Sequence, residues 1–237
     1  GSGKSTLGFW IDSVARELSL DIKVISLDDF YLPAQEMDFA MKGNPWNVPR
    51  GFPGSHSLDL LHQSLDVFLK TGILRSPTFD KSLRDGKGDR SGWCELKSKI
   101  LILEGWFVGC EPVSDINNMD SLSEDKFNLS LSQDEKDYRS LIQESLIKYS
   151  KIWKKFDKIW HLKSSHFNNT ILWKTQQEEE MIKIRGSGLK GNNLTDFIRM
   201  IQSSIPQQSL SFINADTTVQ INQHRRIDKL LTTNYHF

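Results

Sequence analysis

Apolar positions along the chain switch repeatedly between a helical and an extended period. From Lys4, the residues Leu7, Trp10, Ile11, Val14 and Leu18 recur every three to four positions, which predicts a helix with one apolar face. Residues 21–27 (DIKVISL) read as a short buried strand that ends at Asp28-Asp29. Residues 30–57 carry several Pro and Gly with little period and are predicted to be mostly loop. Leu58, Leu61, Leu65, Phe68 and Leu69 predict the next helix, with Ser57 as its N-cap. Residues 73–93 are polar and Gly-bearing, a loop or a loop with a small hairpin, and 100–103 (ILIL) form a continuous apolar run suited to a parallel strand covered on both faces.

The second half follows the same rhythm. Residues 111–130 have no period and read as an exposed polar insertion. Ser132 and Glu135 fit a capping box, followed by a long amphipathic helix through Tyr138, Ile142, Tyr149, Trp153 and Phe156. A strand is predicted over 157–162, helices over 170–184 and 194–205, a strand over 210–214, and a short helix over 223–231. Alternation of strand and helix argues an α/β fold, a parallel sheet with helices on its faces. No internal repeat is visible, so one domain spanning 1–237 is expected.

Composition narrows the class. Thirty Lys+Arg balance thirty Asp+Glu over 237 residues, so the chain as a whole offers no charge excess for nucleic acid or an anionic membrane. Apolar runs fall short of the roughly 18 residues needed to span a bilayer. Cys94 and Cys110 make no disulfide framework, and a reducing, cytoplasmic setting is expected. A plastid setting stays open.

The chemistry begins at the first residue. Gly1-Ser2-Gly3-Lys4-Ser5-Thr6 matches the end of the phosphate-binding pattern G-x-x-x-x-G-K-[ST] and opens a helix. Backbone N–H groups in such a turn curl round a polyphosphate, Lys4 neutralises the outer phosphates, and the Ser5 hydroxyl can ligate Mg²⁺. Thr6 would bind phosphate or cap the helix. The first Gly of the pattern, and the strand that feeds such a turn, would lie upstream of Gly1. The chain is therefore expected to be truncated at its N-terminus, to lack the first central strand of its sheet, and to be unstable or to aggregate when expressed alone.

Other candidates sit at strand ends, where ligands bind in open parallel sheets. Asp28 follows the second apolar segment and could accept a proton from a substrate hydroxyl, ahead of Asp29. Glu104 ends the ILIL strand and could hold Mg²⁺. Arg50, Lys81 and Arg90 lie in cation-rich loops and are candidates for an acidic substrate; His56 beside them reads as a packed histidine. Trp173-Lys174 with Gln176, Gln177, Glu178, Arg185 and Lys190 could cover the phosphates. A plain amphipathic surface helix explains Lys174 and Glu178 equally well.

Together these stretches resemble the phosphoribulokinase, uridine kinase and pantothenate kinase superfamily of P-loop kinases, and within it the D-glycerate 3-kinase family. The resemblance rests on GSGKST, SLDDFYLP (26–33), NVPRGFPGSH (47–56), FDKS (79–82) with GKGDR (86–90), LILEGWFVG (101–109), YSKIWKKFDKIWHL (149–162) and the segment 173–178. It implies a three-layer P-loop NTPase fold, ATP and Mg²⁺, and phosphorylation of D-glycerate to 3-phosphoglycerate, with Asp28 at the position of the family's proposed base. It also implies that the lost strand sits between those ending at Glu104 and Leu162. The chain departs from the family pattern at Ser57, which stands for Asp, and at Lys174, which stands for Arg. Uridine or pantothenate as acceptor, a non-catalytic ATP-binding regulator and a pseudoenzyme remain the alternatives; a missing Asn-Lys-x-Asp stretch weighs against a GTPase. Nothing in the pattern speaks to oligomeric state.

Overall fold

The computed structural model of the chain describes residues 2–113, 130–186, 188–211 and 213–232. Gly1 and residues 114–129 of the predicted insertion lie outside the described residues. The chain resolves into two compact units, one of Gly3–Lys42 and Pro49–Val108, the other of Gly43–Val48 and Gly109–Phe237 with Gly1–Ser2.

In the first unit, α1 (Lys4–Glu17) starts where Gly3 turns left-handed at φ 89°, a conformation that costs glycine little and an L side chain much. The helix lies on β1 (Ile22–Ser26) through its small residues: Gly8 and Ala15 are buried, and a Cβ on Gly8 would meet Val24 Cγ1 at 3.0 Å. The predicted apolar face is therefore not the packed one. Leu7, Trp10, Val14 and Leu18 are exposed, because close approach to the strand selects the face without bulk.

β1 pairs in parallel with β4 (Ile100–Glu104), in a register that sets Ser26 opposite Glu104. A 3₁₀ turn (Leu27–Phe30) leaves β1, closed by a capping box in which Asp29 accepts from the Ser26 amide. Then comes α2 (Ala34–Ala40), a helix inside the segment predicted as loop. Seven residues behind Pro33 are too few to show a period. α3 (Leu58–Thr71) is as predicted, but Ser57 makes no side-chain cap; its hydroxyl instead accepts from Arg90 at 2.7 Å. β2 (Ile73–Asp80) and β3 (Asp89–Lys97) form a long antiparallel hairpin with an irregularity between Thr78 and Phe79. Pro77 and Gly92, cross-strand neighbours of Trp93 and Thr78, disguised it as loop.

In the second unit, α4 (Gln133–Trp153) has the predicted capping box, with Ser132 Oγ accepting from the Glu135 amide at 3.2 Å and Glu135 Oε2 from the Ser132 amide at 2.9 Å. β5 (Trp160–Ser164) pairs in parallel with β6 (Thr217–Ile221), which pairs antiparallel with β7 (Ile227–Thr232). α5 (Asn168–Arg185), α6 (Gly191–Ser203) and α7 (Gln207–Ser211) come between β5 and β6. Two predictions fail here. Residues 207–211 are helical, since Pro206 presets a helix start. Residues 227–232 are a strand, because Asn222 Oδ1 accepts from the amides of His224 (2.9 Å) and Arg226 (3.1 Å) and turns the chain back into a hairpin. The result is a mixed α/β fold with parallel ladders and helices, the class expected.

Candidate active site

Four motifs that are far apart in sequence meet in the first unit. The 3₁₀ turn holding Asp28 leaves β1 beside the end of β4 that carries Glu104. Tyr31 bridges to His56, with Leu32 N donating to Ser55 O at 3.0 Å and Ser57 N to Phe30 O at 2.8 Å. So the DDFY stretch is bound by backbone to the GFPGSH stretch. Trp106 Nε1, just beyond Glu104, donates to Gly51 O at 2.5 Å, and Asp89 Oδ1 accepts from the Ala34 amide at 3.0 Å.

At the start of α1, the first-turn amides have no side-chain cap, and Leu7 N closes on Gly3 O at 2.8 Å. A Cβ on Gly3 would meet no atom within 4 Å, so φ alone selects glycine there, and the space above the turn is open. Ser5 Oγ donates to Glu104 Oε1 at 2.8 Å. Burial pushes the Lys4 ammonium below its ordinary value, Glu104 and Asp28 oppose that, and Lys81 adds to it. Lys4 therefore lies within electrostatic reach of both carboxylates. Lys4, Glu104, Asp28 and Lys81 thus form one cluster of charge.

Asp28 is the centre of that cluster. Burial would raise its carboxyl, but the Lys81 ammonium at 2.6 Å, His56 and the Tyr31 hydroxyl outweigh it and hold the group at about 2. Asp28 is thus ionised at any physiological pH. His56 stacks on Tyr31 (4.5 Å between centroids, planes 18° apart), and burial drives its imidazole down to about 4, so it is neutral, the packed histidine expected. Asp29 is pushed up by burial and spends its carboxylate on the cap.

The three cations assigned to substrate have other partners. Lys81 pairs with Asp28. Arg50, 8% exposed, donates from Nη1 to the carbonyls of Gly86 (2.7 Å) and Lys87 (2.5 Å). Arg90 donates to Ser57 Oγ at 2.7 Å and Tyr31 O at 3.2 Å. The proposed cover is likewise committed within the second unit. Trp173 is 1% exposed and its Nε1 donates to Gln223 O at 2.8 Å; Lys174 pairs with Glu178, which also accepts from the Leu189 amide at 2.8 Å. The Arg185 side chain lies outside the described residues. Tyr31, unassigned from sequence although it stood inside a quoted motif, proves to be an Asp28 partner.

No family model matches the chain. An uncharacterized kinase, mug58, of Schizosaccharomyces pombe is 29% identical over 241 residues, covering 94% of this chain and 82% of its own. The chloroplastic D-glycerate 3-kinase of Arabidopsis thaliana is 29% identical over 213 residues, covering 84% of this chain and 43% of the plant protein. A solved D-glycerate 3-kinase from Cryptococcus neoformans superposes with a TM-score of 0.81 at 24% identity, covering 94% of this chain and 83% of that one. The chain is similar in sequence to proteins named as kinases and shares the fold of a solved D-glycerate 3-kinase. Lys4, which follows the glycine turn, and Asp28, which follows the neighbouring strand, lie within electrostatic reach of each other.

Proposed function

We propose that this kinase transfers the γ-phosphoryl group of ATP to a hydroxyl of D-glycerate, giving 3-phosphoglycerate. The observation that carries the reading is the ionised Asp28, locked to Lys81 at 2.6 Å and within electrostatic reach of Lys4. Transfer through a loose transition state asks mainly for alignment and charge stabilisation, which this set can supply. Lys4 and the amides of Gly3, Lys4, Ser5 and Thr6 hold the phosphates. Asp28 orients the acceptor hydroxyl and receives its proton late, once the bond to phosphorus is forming. Half-exposed Lys81 faces the acceptor carboxylate. D-glycerate itself rests on likeness to proteins named for it.

Ser5 and Glu104 suit Mg²⁺: two hard oxygen donors side by side at 2.8 Å form a partial shell, and this ion keeps water and phosphate oxygens for the rest. When bound, Mg²⁺ offsets negative charge on the transferring group. Glu104→Gln is therefore expected to raise the Mg²⁺ concentration for half-maximal turnover about 10–100-fold. An unchanged Mg²⁺ titration would remove Glu104 from the metal shell.

The acceptor is tested by coupled ADP release with D-glycerate, uridine and pantothenate in parallel. Turnover is expected with D-glycerate alone. Preference for either other acceptor, or ADP release that needs none, would overturn the assignment.

A further inference from the structure

The turn over residues 81–88, which joins β2 to β3, delivers the Lys81 ammonium to Asp28. It is tightly wound: the amides of Gly86 and Gly88 donate to Leu83 O at 3.2 and 2.8 Å, and that of Lys87 to Arg84 O at 3.1 Å. Arg84 and Asp85 sit at φ 55° and 56°, a region that non-glycine residues visit at a cost. Such a turn needs outside support.

Arg50 supplies it. Its buried guanidinium donates to both Gly86 O and Lys87 O and lies 5.7 Å from the centre of the Phe79 ring. The turn is pressed onto the same ring, since a Cβ on Gly88 would stand 2.3 Å from Phe79 Cε1. Phe79 meets Tyr31 edge-on at 5.0 Å, and Tyr31 is bonded to Asp28. At the outer side Arg84 pairs with Asp38 of α2. Support therefore runs from Arg50 through the turn and the ring to the two groups that react.

We infer that Arg50 is a positioning residue: by holding the carbonyls of Gly86 and Lys87 it fixes the β2–β3 turn so that Lys81 meets Asp28. This goes beyond its sequence-based assignment to the substrate carboxylate, and it rests on the phosphotransfer reading only in its kinetic arm. Charged hydrogen bonds from a guanidinium to carbonyls are among the stronger ones, and a buried fork has a fixed geometry that a flexible lysine lacks. The charges facing Asp28 are Lys81, Lys4, Asp29 and His56, the last neutral at pH 7 and cationic below about 4, where Asp28 titrates.

The test follows the Asp28 carboxyl carbon by NMR through a pH titration, with no substrate present. In the wild type it is expected to stay ionised well below the ordinary 3.8. Lys81→Met and Arg50→Met should each move its titration up by about one unit or more. Arg50→Lys, which keeps charge and loses the fork, should fall between and is the variant to use if Met disrupts folding. In acceptor kinetics, the Arg50→Met, Lys81→Met double variant should be no worse than Lys81→Met alone. A wild-type titration in Arg50→Met, or losses that multiply in the double variant, would overturn the inference. A shifted titration in a protein that phosphorylates none of the three acceptors would support it and reject the phosphotransfer reading alone.

Discussion

Asp28→Asn is expected to lower kcat by about 10²–10⁴-fold while ATP affinity stays near its wild-type value. Asparagine preserves the shape and one acceptor oxygen, so the 3₁₀ turn, whose cap belongs to Ser26 and Asp29, should keep its form. What is lost is the negative charge that faces Lys81 and Lys4. A carboxylate held at about 2 is a weak base, and this bears on how the loss should appear. In a loose transition state the acceptor proton leaves late, so the carboxylate contributes chiefly by orienting the hydroxyl and absorbing the proton at the end. The loss should therefore fall on turnover rather than on nucleotide binding. The sign of the shift gives a second expectation. A carboxyl lowered to about 2 remains ionised as pH falls through the ordinary 3.8, so the wild-type rate should show no acid limb at that value from this group. Isothermal titration with a non-hydrolysable ATP analogue, beside steady-state rates, separates the two effects. Near-normal turnover in Asp28→Asn would remove Asp28 from the chemistry.

The residues that cluster in the candidate site were legible in the sequence because they belong to short local patterns. A glycine turn opening a helix, an acid directly after an apolar run and a second acid after ILIL each announce themselves within six residues. Parallel pairing then sets the two strand ends together, and Lys4, Ser5, Asp28 and Glu104 follow. The cations were not legible in the same way. Arg50, Lys81 and Arg90 look alike in a loop, and only tertiary structure tells a guanidinium sunk into backbone carbonyls from an ammonium at a carboxylate. Periodicity found α1 but chose the wrong face, because a helix that packs through Gly8 and Ala15 hides its contact among small residues. The β6–β7 hairpin was missed for a related reason: its turn is made by one Asn side chain, and its outer strand is exposed along its whole length, so no alternation marks it.

The largest stability effect is expected away from the candidate site, at Arg199. Glu135 is 5% exposed, and its carboxylate accepts from Arg199 Nη2 (2.5 Å) and Nε (2.6 Å), Trp46 Nε1 (3.0 Å), Ser203 Oγ (3.0 Å) and the Ser132 amide (2.9 Å). This binds the 43–48 segment, α4 and α6 to one another within the second unit. Burial alone would raise the carboxyl; the Arg199, Ser132, Ser203 and Trp46 bonds hold it at about 2. Arg199→Met strands that charge, and the expected cost is about 3 kcal/mol, the low end for breaking a buried pair because the arginine is partly exposed. Adding Glu135→Leu should return part of the loss, since the stranded charge rather than the absent pair is what destabilises. A lowered carboxyl contributes fully above its ordinary 4.5 and loses that contribution as pH falls towards about 2, so the wild type should weaken across that interval. In Arg199→Met the sign reverses: protonation relieves the stranded charge, and stability should rise as the solution is acidified. Amide exchange across α4 and α6, read at neutral and at acid pH in the three proteins, measures each of these changes. Equal protection in wild type and Arg199→Met at neutral pH would show that the pair contributes nothing.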